Sequence, residues 1–481
     1  MGLYLGIDIG TTEIAAIALD AATGRAIANT SAPEPAPHAA SPGRSEWDAT
    51  AMIARALQIG HAAVAATGQA GEFAGIGVTG QQHGGVLVSV VPGDELRPLG
   101  PFIGWQDKRG DEPTADDHST VAWLHRQVGA AALARTGCRV ASGFLGTTLC
   151  WLARQGQLPS TPVRAAFIAD LLVAHLCAQA LVTDPTNAGG AGLFDAVAGD
   201  WDGAMLGALG LPPHLFPPVR PTGAIVGQLA TAAATALGLR AGVPVMNGLG
   251  DNQASFFGSV GGSTADVLVN VGTGGQVSAI AAGFVRGPLL ETRPYLDGTY
   301  LLVGGGIVGG RAYALLRDFI RQTGRDCFAT EGADDLYPAL NALAAAAPPG
   351  ADGLRCDPRF GGNRYDADQR GAFTGLDERN FTPGHLARAL LEGTARVFSD
   401  LYGTMLTVGL TPRARLIGSG NGIRRNPLLA DLIGDAFGLP LVTPRHTEEA
   451  AHGAALLAAV ATGEITMVEA TARLSYGATA A

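Results

Sequence analysis

The residue on which a group-transfer reaction would turn is Asp251. It stands in Gly248-Leu249-Gly250-Asp251-Asn252-Gln253-Ala254-Ser255, a glycine bend followed by a helix of small residues. A carboxylate there can take the proton of an acceptor hydroxyl, where position matters more than strong basicity. The ordinary alternative is an N-cap aspartate, and one side chain can serve both ends. Asp8 closes the apolar run Leu3-Tyr4-Leu5-Gly6-Ile7-Asp8-Ile9 and precedes Gly10-Thr11-Thr12. Such a turn offers backbone amides and hydroxyls to phosphate oxygens, and Asp8 can hold Mg²⁺ through water. Alone, it reads first as an ordinary tight turn with Asp8 bonding its amides. The same design returns 262 residues later, where Val267–Val271 runs into Gly272-Thr273-Gly274. Two such turns can face each other and clamp the β and γ phosphates of a nucleotide.

A third glycine cluster, Gly418-Ser419-Gly420-Asn421-Gly422, follows a strand-like run and precedes Asn426-Pro427, an N-cap and first helical residue. It lacks the dinucleotide-binding pattern. It reads either as a plain strand-to-helix loop or as a side-chain-free ledge for adenine or ribose. Two polar clusters read as ligand contacts. Gln81-Gln82-His83-Gly84 follows a strand end, where α/β sheets expose binding groups. Trp105-Gln106-Asp107-Lys108-Arg109 joins an aromatic platform to hydrogen-bonding groups, a mix suited to a polyol. The bland alternatives are a structural histidine at 83, a core aromatic at 105 and a surface pair between Asp107 and Arg109.

The elements that must position these groups repeat. Each half opens with strand, Gly-Thr turn and strand, which predicts a duplicated α/β domain. Phe73–Thr79 reads as a strand, and Asp116 to Arg154 is helical and apolar with loops at Gly137 and Gly143. A Pro/Gly-rich segment, Leu211 to Gly223, leads to a helix near Ala230 to Leu239. Thr382-Pro383 predicts a helix start running to about Val408, with Glu392 and Arg396 four residues apart. A strand follows at Arg415–Gly418, and Ala345 to Tyr365 reads as a loop.

Composition excludes several classes. Glycine supplies 69 of 481 residues, about twice the usual share, but with no collagen period. The single lysine, Lys108, is not in a Gly-Lys-Ser/Thr context, so no Walker-type cradle exists and any phosphate must be held by backbone amides and a metal. A net charge of −10 argues against a nucleic-acid or anionic-membrane surface. Cys138, Cys150, Cys177, Cys327 and Cys356 have no metal-ligand spacing and read as buried small hydrophobes in a reducing compartment. With no bilayer-length apolar run and Asp8 too early for a signal peptide, a cytoplasmic protein is expected.

Together, from Leu3 to about Ala459, these motifs resemble the FGGY family of carbohydrate kinases. The carriers are Asp8-Ile9-Gly10-Thr11-Thr12, Gly80-Gln81-Gln82-His83-Gly84, Gly250–Ala254, Gly272-Thr273-Gly274, Arg370-Gly371 with Gly375-Leu376, Gly418-Ser419-Gly420 and Glu449–Ala455. The resemblance implies two actin-like (ribonuclease H-like) ATPase domains around a cleft, an N-terminal sugar-binding domain over 1–259 and a C-terminal nucleotide-binding domain over 260–481. It implies Asp251 as catalytic base, Asp8 near Mg²⁺, and ATP phosphates at Gly10, Thr11, Thr12, Gly272, Thr273 and Gly274. Adenosine would lie at Gly418, Gly420 and Asn426, and the sugar at Gln82, His83, Trp105, Asp107 and Asp251. Trp105–Arg109, Val140–Phe144, Thr147 to Trp151 and Gly248–Ser255 are most similar to members that act on sedoheptulose. Members acting on xylulose show a plainer Trp-Asn-Asp and a methionine in place of Gln82. Asn363 stands where the family usually has glutamate. The implied reaction is ATP-dependent phosphorylation of a terminal primary hydroxyl on a ketose, sedoheptulose first and xylulose or another polyol second. A chaperone-like ATPase would share both turns but gives no reason for Asp251 beside polyol-reading clusters. The resemblance is compatible with a homodimer.

Overall fold

The computed structural model describes residues 2–38, 42–91, 95–113, 118–307, 309–330, 332–361, 366 and 368–478. Strand β1 (Leu3–Ile9) turns back through Gly10 into β2 (Glu13–Asp20), with Ile9 opposite Ile14, and β3 (Arg25–Pro33) continues the meander. On its other side β1 pairs in parallel with β4 (Phe73–Gly80), which sets Asp8 beside Thr79. Beyond β4 lie β5 (Ile225–Gln228), β6 (Pro244–Met246) and the short β7 (Leu249–Gly250), giving a seven-stranded sheet ordered β5-β6-β4-β1-β2-β3 with β7 on β4.

The second sheet repeats that plan. Strand β8 (Asp266–Val271) turns at Gly272 into β9 (Gly275–Ala281), β10 (Leu290–Pro294) and β11 (Tyr300–Ile307) extend it, and β12 (Arg415–Ser419) lies parallel to β8 as β4 does to β1. With β13 (Leu441–Pro444) and β14 (Tyr476–Ala478) the order is β10-β11-β9-β8-β12-β13-β14. The predicted duplication is therefore present strand for strand around the two turns.

Helix α1 (Ala49–Thr67) covers one face of the first sheet; Asp48 caps it by accepting from Thr50 and Ala51 amides, and Gly68 ends it in a left-handed conformation. Helix α2 (Asp251–Val260) follows β7 directly. In the second half come α3 (Gly310–Phe328), α4 (Pro383–Thr407), α5 (Pro427–Phe437) and α6 (Glu449–Ala461). Although α6 comes late in the chain, it packs on β1, β2 and β4 of the first sheet and crosses α2. The crossing is backbone on backbone: a Cβ on Gly453 would lie 1.9 Å from the Ala254 carbonyl oxygen, and one on Gly258 would lie 2.0 Å from that of Glu449. Around it Tyr4, Ile17, Phe256, Phe257, Leu268, Ile417 and Leu456 form one apolar core between the sheets.

Several local expectations change. The stretch from Ala345 to Tyr365 is not simply loop, since Arg355–Asp357 forms a strand paired with Ala372–Thr374. Glu392 pairs with Arg388, not Arg396, because Arg388 Nε reaches its carboxylate at 2.7 Å one turn earlier. Cys150, Cys177 and Cys356 are buried, but Cys138 is half-buried and Cys327 is exposed near the end of α3. Asn363 lies outside the described residues. Among those residues, no helix is long and apolar enough to cross a membrane.

Candidate active site

Strand pairing brings the predicted base and metal ligand to one place. Strand β7 pairs with the end of β4, Leu249 beside Thr79 and Gly250 beside Gly80, while Asp8 lies beside Thr79 on the other edge. Thr79 Oγ1 donates to the Leu249 carbonyl at 3.1 Å, locking that arrangement. Asp251 is the first residue of α2, with Gly250 as its N-cap, so its side chain does not cap the helix in the usual sense. Its Oδ1 accepts the Asn252 amide at 2.8 Å. Burial raises its pKa to about 6, against lowering by the Asn252 amide, by the Arg293 charge and by the Gln82 amide. A carboxyl balanced near 6 is ionised at neutral pH yet able to take a proton in a transition state.

Asp8 is in a different condition. Burial pushes its pKa well up, and Asp251, Glu448, Glu34 and Glu13 push it further. Its Oδ1 is buried without a hydrogen-bond partner. Every charge named there is negative, and uncompensated buried carboxylates are costly. The matching position in the second hairpin is Asn270, which is neutral and donates to Ser419 Oγ at 2.8 Å. One turn thus has an orphaned acid and the other a satisfied amide. That asymmetry fits a cation at the first turn, with Asp8 as the residue to hold it.

Each turn closes on itself through its leading glycine, whose amide is bonded within the turn. Gly10 N–H donates to the Glu13 carbonyl, and Gly272 N–H donates to that of Gly274 at 2.9 Å. Thr11 is half-buried, while Thr12, Thr273 and Gly274 are exposed. The second turn is tied to the start of α3, where the Gly310 and Arg311 amides donate to the Gly272 and Thr273 carbonyls. Near β12, Gly420 has φ +84° and lies so close to Val271 that a Cβ would fall 2.5 Å from its carbonyl oxygen. Gly418 is buried against Leu441 and Ile423, so packing alone accounts for its missing side chain. Asn426 caps α5 by accepting the Leu429 amide at 3.1 Å.

Of the five expected sugar contacts, the four besides Asp251 differ in what they face. Trp105 is 41% exposed, and its Nε1 donates to Thr11 Oγ1 at 3.0 Å, joining the aromatic platform to the first turn. His83 is buried at φ +72°, its ring stacked on Phe144 at 4.2 Å and its Nδ1 2.8 Å from the Gly190 carbonyl. Gln82 lies behind Asp251, its Nε2 donating to the Thr186 carbonyl at 2.9 Å and to Gln253 Oε1 at 2.8 Å. Asp107 is fully buried; both oxygens accept, from Arg109 and from the Ser45 amide. Burial would raise its pKa, but those bonds hold it below the ordinary value. Asp107 is thus an internal anchor, since its oxygens are committed beneath the surface.

Sequence reasoning missed Arg293. It reaches from β10 of the second half to within 3.3 Å of Gln82 Oε1 and 3.4 Å of Asn252 Oδ1, held from behind by Glu291 at 2.6 Å. An Arg two residues after a Glu on one strand carries no signal of that reach. It also missed Thr183-Asp184-Pro185-Thr186-Asn187, whose Asp-Pro pair does read as an N-cap and first helical residue.

Residues 3–258 match the N-terminal domain of the FGGY family of carbohydrate kinases, and residues 267–462 match its C-terminal domain. The chain belongs to the FGGY carbohydrate kinases. It is similar to glycerol kinase of Bordetella parapertussis, at 30% identity over 95% of this chain and 88% of that protein. It is similar to sedoheptulokinase of Mus musculus, at 29% identity over 94% of this chain and 96% of that one. The crystal structure of xylulose kinase from Rhodospirillum rubrum superposes with a TM-score of 0.86 at 28% identity, covering 98% and 93% of the two chains. This FGGY kinase therefore has the two-domain actin-like fold and is an ATP-dependent carbohydrate kinase whose family generally requires a metal ion.

Proposed function

We propose that this FGGY kinase transfers the γ-phosphoryl group of ATP to the terminal primary hydroxyl of a ketose, with sedoheptulose as acceptor and sedoheptulose 7-phosphate as product. The observation that carries the reaction is the half-buried Asp251 carboxylate at a helix start, beside Asp8, whose buried Oδ1 has no hydrogen-bond partner. The choice of sugar is supported by the cluster Trp105–Arg109 and by full-length similarity to a sedoheptulokinase.

In this reading residues 1–259 hold the sugar and 260–481 the nucleotide. Asp251 accepts the proton of the attacking hydroxyl. Trp105 offers an apolar face to the sugar carbons, and His83 and Gln82 fix the wall behind it. Asp107 keeps the Trp105 segment in place through Arg109. Gly10, Thr11 and Thr12 surround the phosphates from one side and Gly272, Thr273 and Gly274 from the other, as side-chain-poor turns that let the phosphates approach closely. Gly420 and Asn426 line the adenosine end, and Gly418 supports them from beneath. Asp8 would hold Mg²⁺, which when bound screens the phosphates and polarises the transferring group. Closure of the halves excludes water as a competing acceptor.

The test is ADP release by the full chain across sedoheptulose, xylulose and glycerol at saturating ATP and Mg²⁺. The proposal expects the highest kcat/KM with sedoheptulose and little ADP without an acceptor. A far higher value for xylulose or glycerol would overturn the sugar while leaving the kinase intact. Fast acceptor-independent hydrolysis would instead support a plain ATPase.

A further inference from the structure

The segment Asp184–Asn187 has no direct part in the reaction as described, yet it is bonded to the strand that leads into the base. Asp184 is fully buried and caps the one-turn helix Pro185–Ala188, accepting from the Thr186 and Asn187 amides at 3.1 and 3.0 Å. It also accepts from the Thr222 hydroxyl at 2.9 Å and from the Thr186 hydroxyl at 2.7 Å. With its hydrogen committed to Asp184, Thr186 Oγ1 is fixed as an acceptor and takes the Gly250 amide at 2.9 Å. Asn187 Nδ2 donates to the Gly248 carbonyl at 3.2 Å. The two residues that flank Leu249 are therefore gripped from one short helix.

A second connection leaves the same residue. The Thr186 carbonyl accepts Gln82 Nε2 at 2.9 Å, and the Gln82 backbone amide lies near enough to the Asp251 carboxylate to favour its ionised form. Thr186 thus reaches Asp251 by two routes. Its hydroxyl fixes the residue before the base, and its carbonyl fixes the side chain of Gln82, whose amide faces the carboxylate. Neither route needs the substrate.

We propose that Thr186, oriented by Asp184, is a positioning residue that sets the placement of the Asp251 carboxylate for proton acceptance. A threonine without Asp184 could turn its hydroxyl hydrogen towards Gly250 and lose that amide; the aspartate removes the choice. Small displacements of a reacting group cost rate much more than they cost affinity. This inference rests on Asp251 being the base, so it concerns kcat far more than binding of sugar or nucleotide.

The experiment compares Thr186→Val with Thr186→Ser in the full chain, using whichever of sedoheptulose, xylulose and glycerol turns over fastest. Valine keeps the shape and removes the hydroxyl; serine keeps the hydroxyl. The expected result is a kcat about tenfold lower or more for valine, KM for sugar and ATP within about twofold, and recovery to at least half of wild-type kcat for serine. A valine kcat within twofold of wild type, or equal losses in both variants, overturns the proposal. Should Thr186→Val fail to fold, Thr222→Val loosens Asp184 at a half-buried position. A smaller fall in kcat at constant KM then supports the proposal and an unchanged kcat overturns it. Asp251→Asn separates the two claims. If it keeps turnover, the base assignment is what failed; if it is inactive while Thr186→Val is fully active, the positioning role alone has failed.

Discussion

Replacing Gly453 by alanine isolates the crossing of α2 and α6, where the halves of the molecule meet. Helix propensity alone favours the change, because glycine in a helix is about 1 kcal/mol worse than alanine. Packing says the reverse. The new Cβ would sit 1.9 Å from the Ala254 carbonyl oxygen and 2.7 Å from the Gly258 nitrogen, both backbone atoms that no rotamer change can move. Relief requires shifting α6 off α2, and α6 is also seated on the first sheet, where a Cβ on Gly77 would lie 2.0 Å from the Ala454 carbonyl. Overpacking of that kind typically costs about 1–3 kcal/mol and here meets backbone, so about 3 kcal/mol less the propensity gain leaves about 2 kcal/mol of net destabilisation. At a slope of ~3 kcal/mol per molar, the urea midpoint falls by roughly 0.7 M. Gly403→Ala is the matched control. That glycine lies in α4, and a Cβ added to it would meet no heavy atom within 4 Å, so the same substitution there should raise the midpoint. Circular dichroism over a urea titration reads both. A Gly453→Ala midpoint at or above wild type would refute the packing argument.

Two further perturbations test the electrostatics. Exchanging Arg293 for methionine together with Glu291 for glutamine removes the cation that favours ionised Asp251 without leaving a buried charge unpaired. The acid limb of the kcat/KM profile should then move up from about 6, and a limb that stays or moves down would disprove the role of Arg293. His446 and His452 stack at 3.7 Å; burial holds the first at about 4 and the second well below its ordinary value. Both are neutral in the folded chain, and the unfolded chain binds their protons first, so they withdraw stability as pH falls below about 6.5. His452→Leu should therefore narrow the loss of urea midpoint between about pH 7.5 and about pH 5, and an equal or larger loss would contradict the assignment.

Much of the architecture was legible because it depends on local signals. The two Gly-Thr hairpins, the Thr382-Pro383 helix start and the Asn426-Pro427 cap all rest on backbone chemistry confined to a few residues, and each appears where its sequence places it. Asp8 and Asp251, 243 positions apart, were brought together by the pairing of β1, β4 and β7. What could not be read was long-range. The arrival of α6 on the first sheet gives Gly453 and Gly258 a packing reason that composition could not supply. Asp107 read as a sugar contact because an exposed carboxylate and a buried one look alike until Arg109 and Ser45 are seen around it. Arg293 was invisible for the opposite reason, since its partners lie on another half of the chain.

The central claim is that Asp251 takes the proton of an acceptor hydroxyl. Its most direct test is the turnover of Asp251→Ala, measured as sugar-dependent ADP release under conditions where the wild type is saturated. A general base usually contributes about 10²-fold or more, so the account predicts a kcat at least ~10²-fold below wild type in a protein whose thermal midpoint and nucleotide affinity are retained. A folded Asp251→Ala with near-wild-type kcat would contradict it.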